Sequence, residues 1–570
     1  MPAVDTVPRV ASHEEAGESA TRAPSERGQA LTSELAPPDL LSATPSRRLD
    51  PRRAREVLTF AFAQGVADDA FDELLAAARL PDSTWDPAGF APDLFVRELV
   101  AAFATVTTEA GGRCVLGQRA LERLLSHPPT EPAHAALRRE VLRTLVASDG
   151  ARRDVERLHA LVRALREQLG VAPVRSVDVL RRRLEILGAL RALIDAAASA
   201  FEGHGSPAPL ARVSRWASAV KGSDGYRALA ELLDYDEHLA TIDVRVRVGS
   251  DGRVRSLALT SVRENTRSRF SRSPVARWFA RLSLLFRGYR FAAEELLARA
   301  VEQVFEGLED VVLSALQLGA DLEVYLFALS LRAAAERAGL AVSLPTVGEE
   351  RRLQGLFNPL LLGHVKRVVP CDLVDPRTDR VVLVTGPNSG GKTRLLQAIG
   401  LAQLLGQCGL FVPAASAMLR PVDGLFVSFG APPSANASEG RLGTELLRVR
   451  AVFETICVGG MVLVDELCSG TNPSEGEELF RHVVELLLEV EPQAFLSTHF
   501  LTAAADLVRA PPSERLAFLK VDIDENGMPT YRFVPGVAKT SLAHQTAARL
   551  GVTRDDLAAL VARARRARRG

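Results

Sequence analysis

The 570-residue chain carries no excess of charge: 70 lysines and arginines stand against 70 aspartates and glutamates, a formal net charge of zero. A uniformly basic surface for nucleic acid is excluded, and any such surface must be local. Cysteine is sparse. The five residues, Cys114, Cys371, Cys408, Cys457 and Cys468, are scattered and none falls in a C-x-x-C pair. That spacing argues against a zinc site or disulfide frame and for reduced thiols. There is no run of 18 apolar residues, so no membrane span is expected. The opening residues, Met1-Pro2-Ala3-Val4-Asp5, run into Pro, Ser and Glu without an apolar core, so no secretory signal is expected.

What is present is the mix of a globular protein, 47% apolar and 25% charged, in a chain too long for one ordinary core. Residues 1–50 are rich in Pro, Ser, Thr, Ala and Glu and lack periodic apolar positions, which predicts a disordered tail. Helical spacing then dominates. Residues 51–175 read as a helical domain with no recognisable chemistry, and residues 176–345 as a second helical region, with Leu180, Leu184, Ile186, Leu187, Leu190 and Leu193 as an example of the period. Within it, Ile242, Val244, Val246 and Val248 alternate with Asp243, Arg245 and Arg247 before Gly249-Ser250-Asp251-Gly252 and a second alternating stretch. Period two around a Gly/Asp turn predicts a β-hairpin near 241–260 with an arginine face. From 346 to 540 short apolar runs alternate with helices, the texture of an α/β domain with a mostly parallel sheet. Residues 541–570 are helical and end in a basic run at 563–569. The fold class expected is multidomain, α followed by α/β.

Three motifs in the α/β part carry chemistry. Gly386-Pro387-Asn388-Ser389-Gly390-Gly391-Lys392-Thr393 matches G-x-x-x-x-G-K-[ST], preceded by the apolar strand 381–384 and followed by an amphipathic helix with Leu395, Leu396, Ile399 and Leu404. Strand, loop and helix in that order predict a phosphate loop, with backbone N–H groups and a helix N-terminus around phosphate oxygens. Lys392 would reach the β- and γ-phosphates of ATP, and the Thr393 hydroxyl would ligate Mg²⁺. In the second motif, four apolar residues at 461–464 end in Asp465 and Glu466. Asp465 would hold the Mg²⁺ through water, and Glu466 would orient or deprotonate the attacking water. The third is Phe495-Leu496-Ser497-Thr498-His499, where His499 would contact or sense the γ-phosphate.

These pieces, in this order, resemble the ATPase domain of the MutS family of DNA mismatch-repair proteins. The loop has the family's G-P-N-x-G-G-K form. Gly409-Leu410-Phe411-Val412-Pro413-Ala414 and Pro421-Val422-Asp423-Gly424-Leu425-Phe426 are similar to two further family stretches. Asp465-Glu466-Leu467-Cys468-Ser469-Gly470-Thr471 and Thr498-His499-Phe500 resemble the segments that follow. Upstream, Asp321-Leu322-Glu323, Phe357-Asn358-Pro359-Leu360-Leu361 and Val369-Pro370-Cys371-Asp372 also look like MutS. The resemblance covers roughly 315–550, is weaker over 176–314, where lever and clamp helices would lie, and is absent before that. It implies a P-loop ATPase domain of the ABC type and a homodimer whose composite ATP sites are completed by the partner. The loop 468–475 would face that partner. Ser438 and Gly440, in the segment 438–445, would contact nucleotide in trans. Residues 541–570 would be a dimerisation segment.

The chain departs from the family pattern at Gly430-Ala431-Pro432-Pro433, and Gly440-Arg441-Leu442 stands where a Ser-Thr-Phe signature is usual. The mismatch-reading domain is expected to be missing, since Phe71-Asp72-Glu73 has the letters of its Phe-x-Glu wedge but sits in a helical pattern. No Smr-type nuclease domain is expected after residue 550.

A DNA surface is also arguable without the family. Between 245 and 290 there are twelve arginines, including Arg245, Arg247, Arg253 and Arg255, against only Asp251 and Glu264. Arginine pairs with phosphate by forked hydrogen bonds and releases counterions on binding, so the hairpin would clamp a DNA backbone, or else be a solvated face. No aromatic platform for single strands is evident, Phe270, Trp278 and Phe279 being irregularly spaced. The function expected is ATP-dependent clamping of duplex, mismatched or branched DNA in mismatch repair or recombination control, in the cytoplasm at the nucleoid. The alternative is nucleotide-dependent action on ribosomes or another nucleoprotein assembly.

Overall fold

The computed structural model describes residues 36–107, 112–173, 176–202, 208–238, 241–248, 254–263, 292–375, 377, 379–430, 440–456, 459–468, 472–490, 492–509, 513–525, 527–538 and 552–567. The protein is mixed helical and α/β.

The helical part begins where the sequence caps it. Asp50 accepts a hydrogen bond from Arg53 N at 2.8 Å and Pro51 fills the first turn of the helix Pro51–Gln64, which Gly65 ends. Ser148 caps Asp149–Gly170 in the same way, its Oγ accepting from Ala151 N at 3.2 Å. Both helices pack on the 29-residue helix Glu309–Arg337. That helix is apolar nearly all round, and 89% of its most apolar window is buried inside the protein, which makes it a core helix rather than a membrane span. A short hairpin not anticipated from the sequence, β1 (Thr105–Thr107) and β2 (Arg113–Val115), lies against it.

The tail expected over 1–50 does not extend to residue 50. Residues 1–35 lie outside the described residues, but Asp39, Leu40 and Leu41 are buried. Leu40 N donates to Asp321 Oδ2 at 2.9 Å, Arg48 N donates to Gln317 Oε1 at 2.8 Å, and the Arg48 guanidinium pairs with Asp321. Composition misled here because two leucines and a buried ion pair tie the segment to a helix 281 positions further along.

The alternating segments pair antiparallel as β3 (Thr241–Val248) and β4 (Val254–Arg263). Arg253 lies outside the described residues, as do the side chains of Arg245, Arg247 and Arg255, so the arginine face is not described.

The α/β part holds two sheets. The smaller contains β5 (Thr346–Val347), β6 (Arg351–Leu356), β7 (Cys371–Asp375) and β9 (Ser416–Leu419), in the order β5-β9-β6-β7. The larger contains β8 (Val381–Thr385), β10 (Leu425–Ser428), β11 (Met461–Val464), β12 (Gln493–Thr498), β13 (Leu516–Ile523) and β14 (Pro529–Pro535), in the order β10-β11-β12-β8-β13-β14. Its first five strands are parallel, and β14 runs antiparallel to β13. Strands β8, β11 and β12 are buried along their whole length, as helix-covered parallel strands must be. One face carries Phe480, Val484, Leu487 and Phe500; the other joins a core that runs without a break into the N-terminal helices.

That junction is specific. Arg138, 1% exposed, donates from Nε to Leu41 O at 3.1 Å and from Nη1 to Cys408 O at 3.0 Å. Trp85 Nε1 donates to Val422 O at 3.1 Å, and Asp93 Oδ2 accepts from Phe429 N at 3.1 Å. Residues 51–175, which the sequence left without a role, are thus packed onto the α/β part by buried polar groups with satisfied partners.

Candidate functional site

In a parallel sheet the C-terminal ends of the strands open on one edge, where loops bring side chains together. Four ends meet there: Thr385 and Gly386 after β8, Ser428 on β10, Asp465 and Glu466 after β11, and Ser497 to His499 at the end of β12.

The glycine loop runs from β8 into the helix Lys392–Gln407. Ser389 and Gly391 adopt left-handed φ of 71° and 88°. Left-handed residues within a turn make a concavity lined by N–H groups, suited to anions. Gly386, at φ 146°, cannot be replaced without strain: a Cβ there would lie 2.5 Å from Val521 Cγ2. Asn388 and Ser389 are exposed, while Pro387 and Gly390 are buried.

Lys392 opens the helix and is only 4% exposed. Its Nζ donates to Gly386 O at 3.1 Å and Pro387 O at 3.3 Å, and sits 3.4 Å from Glu466 Oε1. Thr393 Oγ1 donates to Asp465 Oδ2 at 2.5 Å, and Ser497 Oγ donates to the other oxygen of that carboxylate. The four residues singled out for phosphate and metal chemistry therefore meet as two touching pairs.

Glu466 stands at φ 46° and Cys468 at 63°, conformations unusual for residues with a side chain. The bend is held by Glu466 N, which donates to Ser497 O and Ser497 Oγ, each at 3.1 Å. Strain of this kind, fixed by hydrogen bonds from the next strand, marks a place where the carboxylate's position matters. His499 is exposed at the end of β12 with its ring 4.3 Å from that of Phe500. Ser438 lies outside the described residues, and Gly440 begins the helix Gly440–Thr455.

Three residues here escaped the sequence reading. Ser497 lay inside a quoted motif, yet only the fold reveals that it anchors both Asp465 and Glu466. Arg448 donates from Nε to Ser428 Oγ at 2.7 Å and from Nη2 to Ser428 O at 3.0 Å, tying the 440–455 helix to the sheet edge. Tyr531, on β14, is 50% exposed at φ 60°, and its Cδ1 lies 3.4 Å from where a Cβ on Gly391 would stand. No spacing rule connects residue 531 with residue 391.

Comparison with known proteins agrees with this geometry. Residues 382–566 match the family model of MutS domain V. The chain is similar to an Endonuclease MutS2 of Thermus thermophilus, 34% identical over 218 residues, or 38% of this chain and 28% of that protein. It is also similar to an Endonuclease MutS2 of Thermomicrobium roseum, 32% identical over 281 residues, or 48% of this chain and 34% of that protein. A third such protein, from Gemmatimonas aurantiaca, is 35% identical over 198 residues, or 34% of this chain and 24% of that one. The chain thus spans about a third or less of the length of the curated relatives it matches. Fold and site define a mixed helical and α/β protein whose sheet edge is that of MutS domain V, the ATPase domain of its family. Over this part the chain is similar to MutS-family proteins.

Proposed function

We propose that this protein is an ATPase that binds DNA, and that it uses ATP binding and hydrolysis to clamp mismatched or branched DNA in mismatch repair or recombination control. The observation that carries the ATPase reading is the meeting of the Thr393–Asp465 and Lys392–Glu466 pairs at one sheet edge, beside a left-handed glycine loop. In this reading residues 386–391 form a phosphate loop whose N–H groups surround the phosphates, and Lys392 leaves its carbonyl partners to neutralise their charge. The donor set suits Mg²⁺, since Thr393 Oγ1 and an Asp465 oxygen are hard ligands already 2.5 Å apart. Bound there, Mg²⁺ would offset charge on the phosphates. Glu466 orients or deprotonates the attacking water, and Ser497 keeps both acids in place.

The exposed ring of Tyr531 offers a flat face to the nucleotide base. Tyr531→Ala is expected to weaken ATP binding about tenfold, since base–aromatic stacking is worth about 1–3 kcal/mol, with little change in turnover at saturation. Equilibrium titration with a fluorescent ATP analogue reads this, and an unaltered Kd would remove the residue from the site.

The likeness to MutS domain V supports the DNA-binding part, the paired β3–β4 segments offer it a location, and a homodimer with composite sites is the assembly proposed. The nucleolytic activity in the relatives' name is said of those proteins and is not carried over. The test is steady-state ATP hydrolysis with no DNA, matched duplex, mismatched duplex and a four-way junction, with Lys392→Ala as the blank. Stimulation by a mismatch or junction is expected. A rate indifferent to every DNA, with no retention on DNA at low salt, would sink the DNA reading, and co-sedimentation with ribosomes would then favour the assembly alternative.

A further inference from the structure

The peptide unit between Asp465 and Glu466 is held from both sides. A peptide unit is planar, so gripping its N–H and its C=O fixes the whole plate. Ser497 grips the N–H side: its O and Oγ each accept from Glu466 N at 3.1 Å. The C=O side faces the helix Gly440–Thr455, from which Arg448 Nη2 donates to Asp465 O at 3.4 Å. The same Nη2 donates to Ser428 O at 3.0 Å, and Nε donates to Ser428 Oγ at 2.7 Å. Ser428 O also accepts from Asp465 N at 2.9 Å, so one guanidinium closes the ends of the paired strands β10 and β11 into a ring.

The ring bears on where the carboxylate goes. Glu466 stands at φ 46°, a conformation that residues with a side chain avoid, and its Oε1 lies 3.4 Å from Lys392 Nζ. Release of the carbonyl would let the plate turn about its N–H side and φ relax, swinging the carboxylate off that position. The Asp465 side chain is anchored separately, by Thr393 Oγ1 and Ser497 Oγ. The strand end that supplies the other acceptors is itself fixed, since Asp93 Oδ2 accepts from Phe429 N at 3.1 Å. Gly430, at φ 83°, then turns the chain beside the guanidinium, with Nη1 3.8 Å from where a Cβ there would stand. A forked, planar cation suits this place, because it reaches two carbonyls and a hydroxyl at once.

We propose that Arg448 is a positioning residue for ATP hydrolysis. By holding the carbonyl of Asp465 it keeps the 465–466 peptide, and with it the Glu466 carboxylate, in the geometry that activates water. This role rests on the ATPase reading above and adds to that site a residue from outside its three motifs. Arg448 acts through the backbone of the residues it holds. Lys392 and Thr393 keep their own bonds, to Gly386 O, Pro387 O and Asp465, so nucleotide and metal binding do not depend on the guanidinium. Its loss therefore falls on turnover rather than on affinity.

The test is steady-state ATP hydrolysis by the whole chain, with Arg448→Ala, Ser428→Ala and Lys392→Ala beside it. Arg448→Ala is expected to lower kcat about 10²-fold, the cost of a displacement of about 1 Å at a reacting centre. Its KM for ATP and its half-saturating Mg²⁺ should stay within about threefold, since ground-state contacts are kept. Free guanidinium, added far below denaturing concentration, should restore part of the lost rate. A merely structural role would give neither that split nor that rescue. Ser428→Ala removes one acceptor and keeps the main-chain bonds, so kcat should fall about fivefold. An unaltered kcat in folded Arg448→Ala, or in Ser428→Ala where Arg448→Ala does not fold, overturns the proposal, as does a loss that guanidinium leaves untouched. With Lys392→Ala inactive, those results leave the ATPase reading standing. Absence of hydrolysis in the unmodified chain would end both.

Discussion

Glu466→Gln is expected to lower steady-state ATP hydrolysis by about 10²–10⁴-fold, the range that a positioned general base contributes, while ATP still binds. The substitution keeps size and hydrogen-bonding shape, so the bend at φ 46° and the backbone bonds from residue 466 to Ser497 should persist. What changes is charge. A glutamine cannot take a proton from water, and Lys392 loses the carboxylate 3.4 Å from its Nζ. With one fewer anion near the phosphates, nucleotide affinity should hold or rise, so the variant accumulates in an ATP-bound state. Single-turnover hydrolysis beside equilibrium binding separates the two effects. Hydrolysis at the unmodified rate would remove Glu466 from the chemistry and leave its strained backbone without a purpose.

Asp321→Ala is expected to destabilise the fold by about 3–5 kcal/mol, the cost of breaking a buried ion pair by removing one member. Asp321 is 0% exposed; its carboxylate pairs with Arg48 and accepts from Leu40 N at 2.9 Å. Without it the Arg48 guanidinium is left in the core with Asp39, 3.8 Å from its Nε, as the remaining acid. Burial already depresses the pKa of Arg48, so the environment penalises the charge that would be stranded. Thermal unfolding followed by circular dichroism checks the magnitude. Protease mapping should find residues 36–50 released first. An unfolding midpoint equal to that of the unmodified chain would mean that the segment is held by its leucines alone.

The sequence made the site more legible than the scaffold. Glycine loops and strand-end carboxylates are local patterns, so residues 386–393 and 465–466 could be placed on a strand–loop–helix and a buried strand before any fold was known. Their partners could not. Ser497 acts across strands, Tyr531 approaches Gly391 only because β14 folds back on β13, and Arg448 reaches Ser428 from a helix twenty positions later. Each is a pairing at long separation, to which period and composition are blind. Residues 36–50 were misjudged for the same reason, since their burial depends on a helix far along the chain. The β3–β4 pairing was legible because alternation and turn chemistry are both local.

The position of β10 has a bearing on aggregation. Among the described residues it is the outermost strand of the parallel sheet, an edge where another strand could add and seed aggregation. Residues from the N-terminal helical part lie along that rim: Thr84 Oγ1 donates to Asp423 O at 2.6 Å, Trp85 to Val422 O, and Asp93 accepts from Phe429 N. The turn Pro87–Gly89 lies over Leu425. Ribosomal synthesis makes this guard before it makes the strand. A nascent sheet therefore meets an edge cover already synthesised, and a fragment starting within the α/β part would lack these contacts.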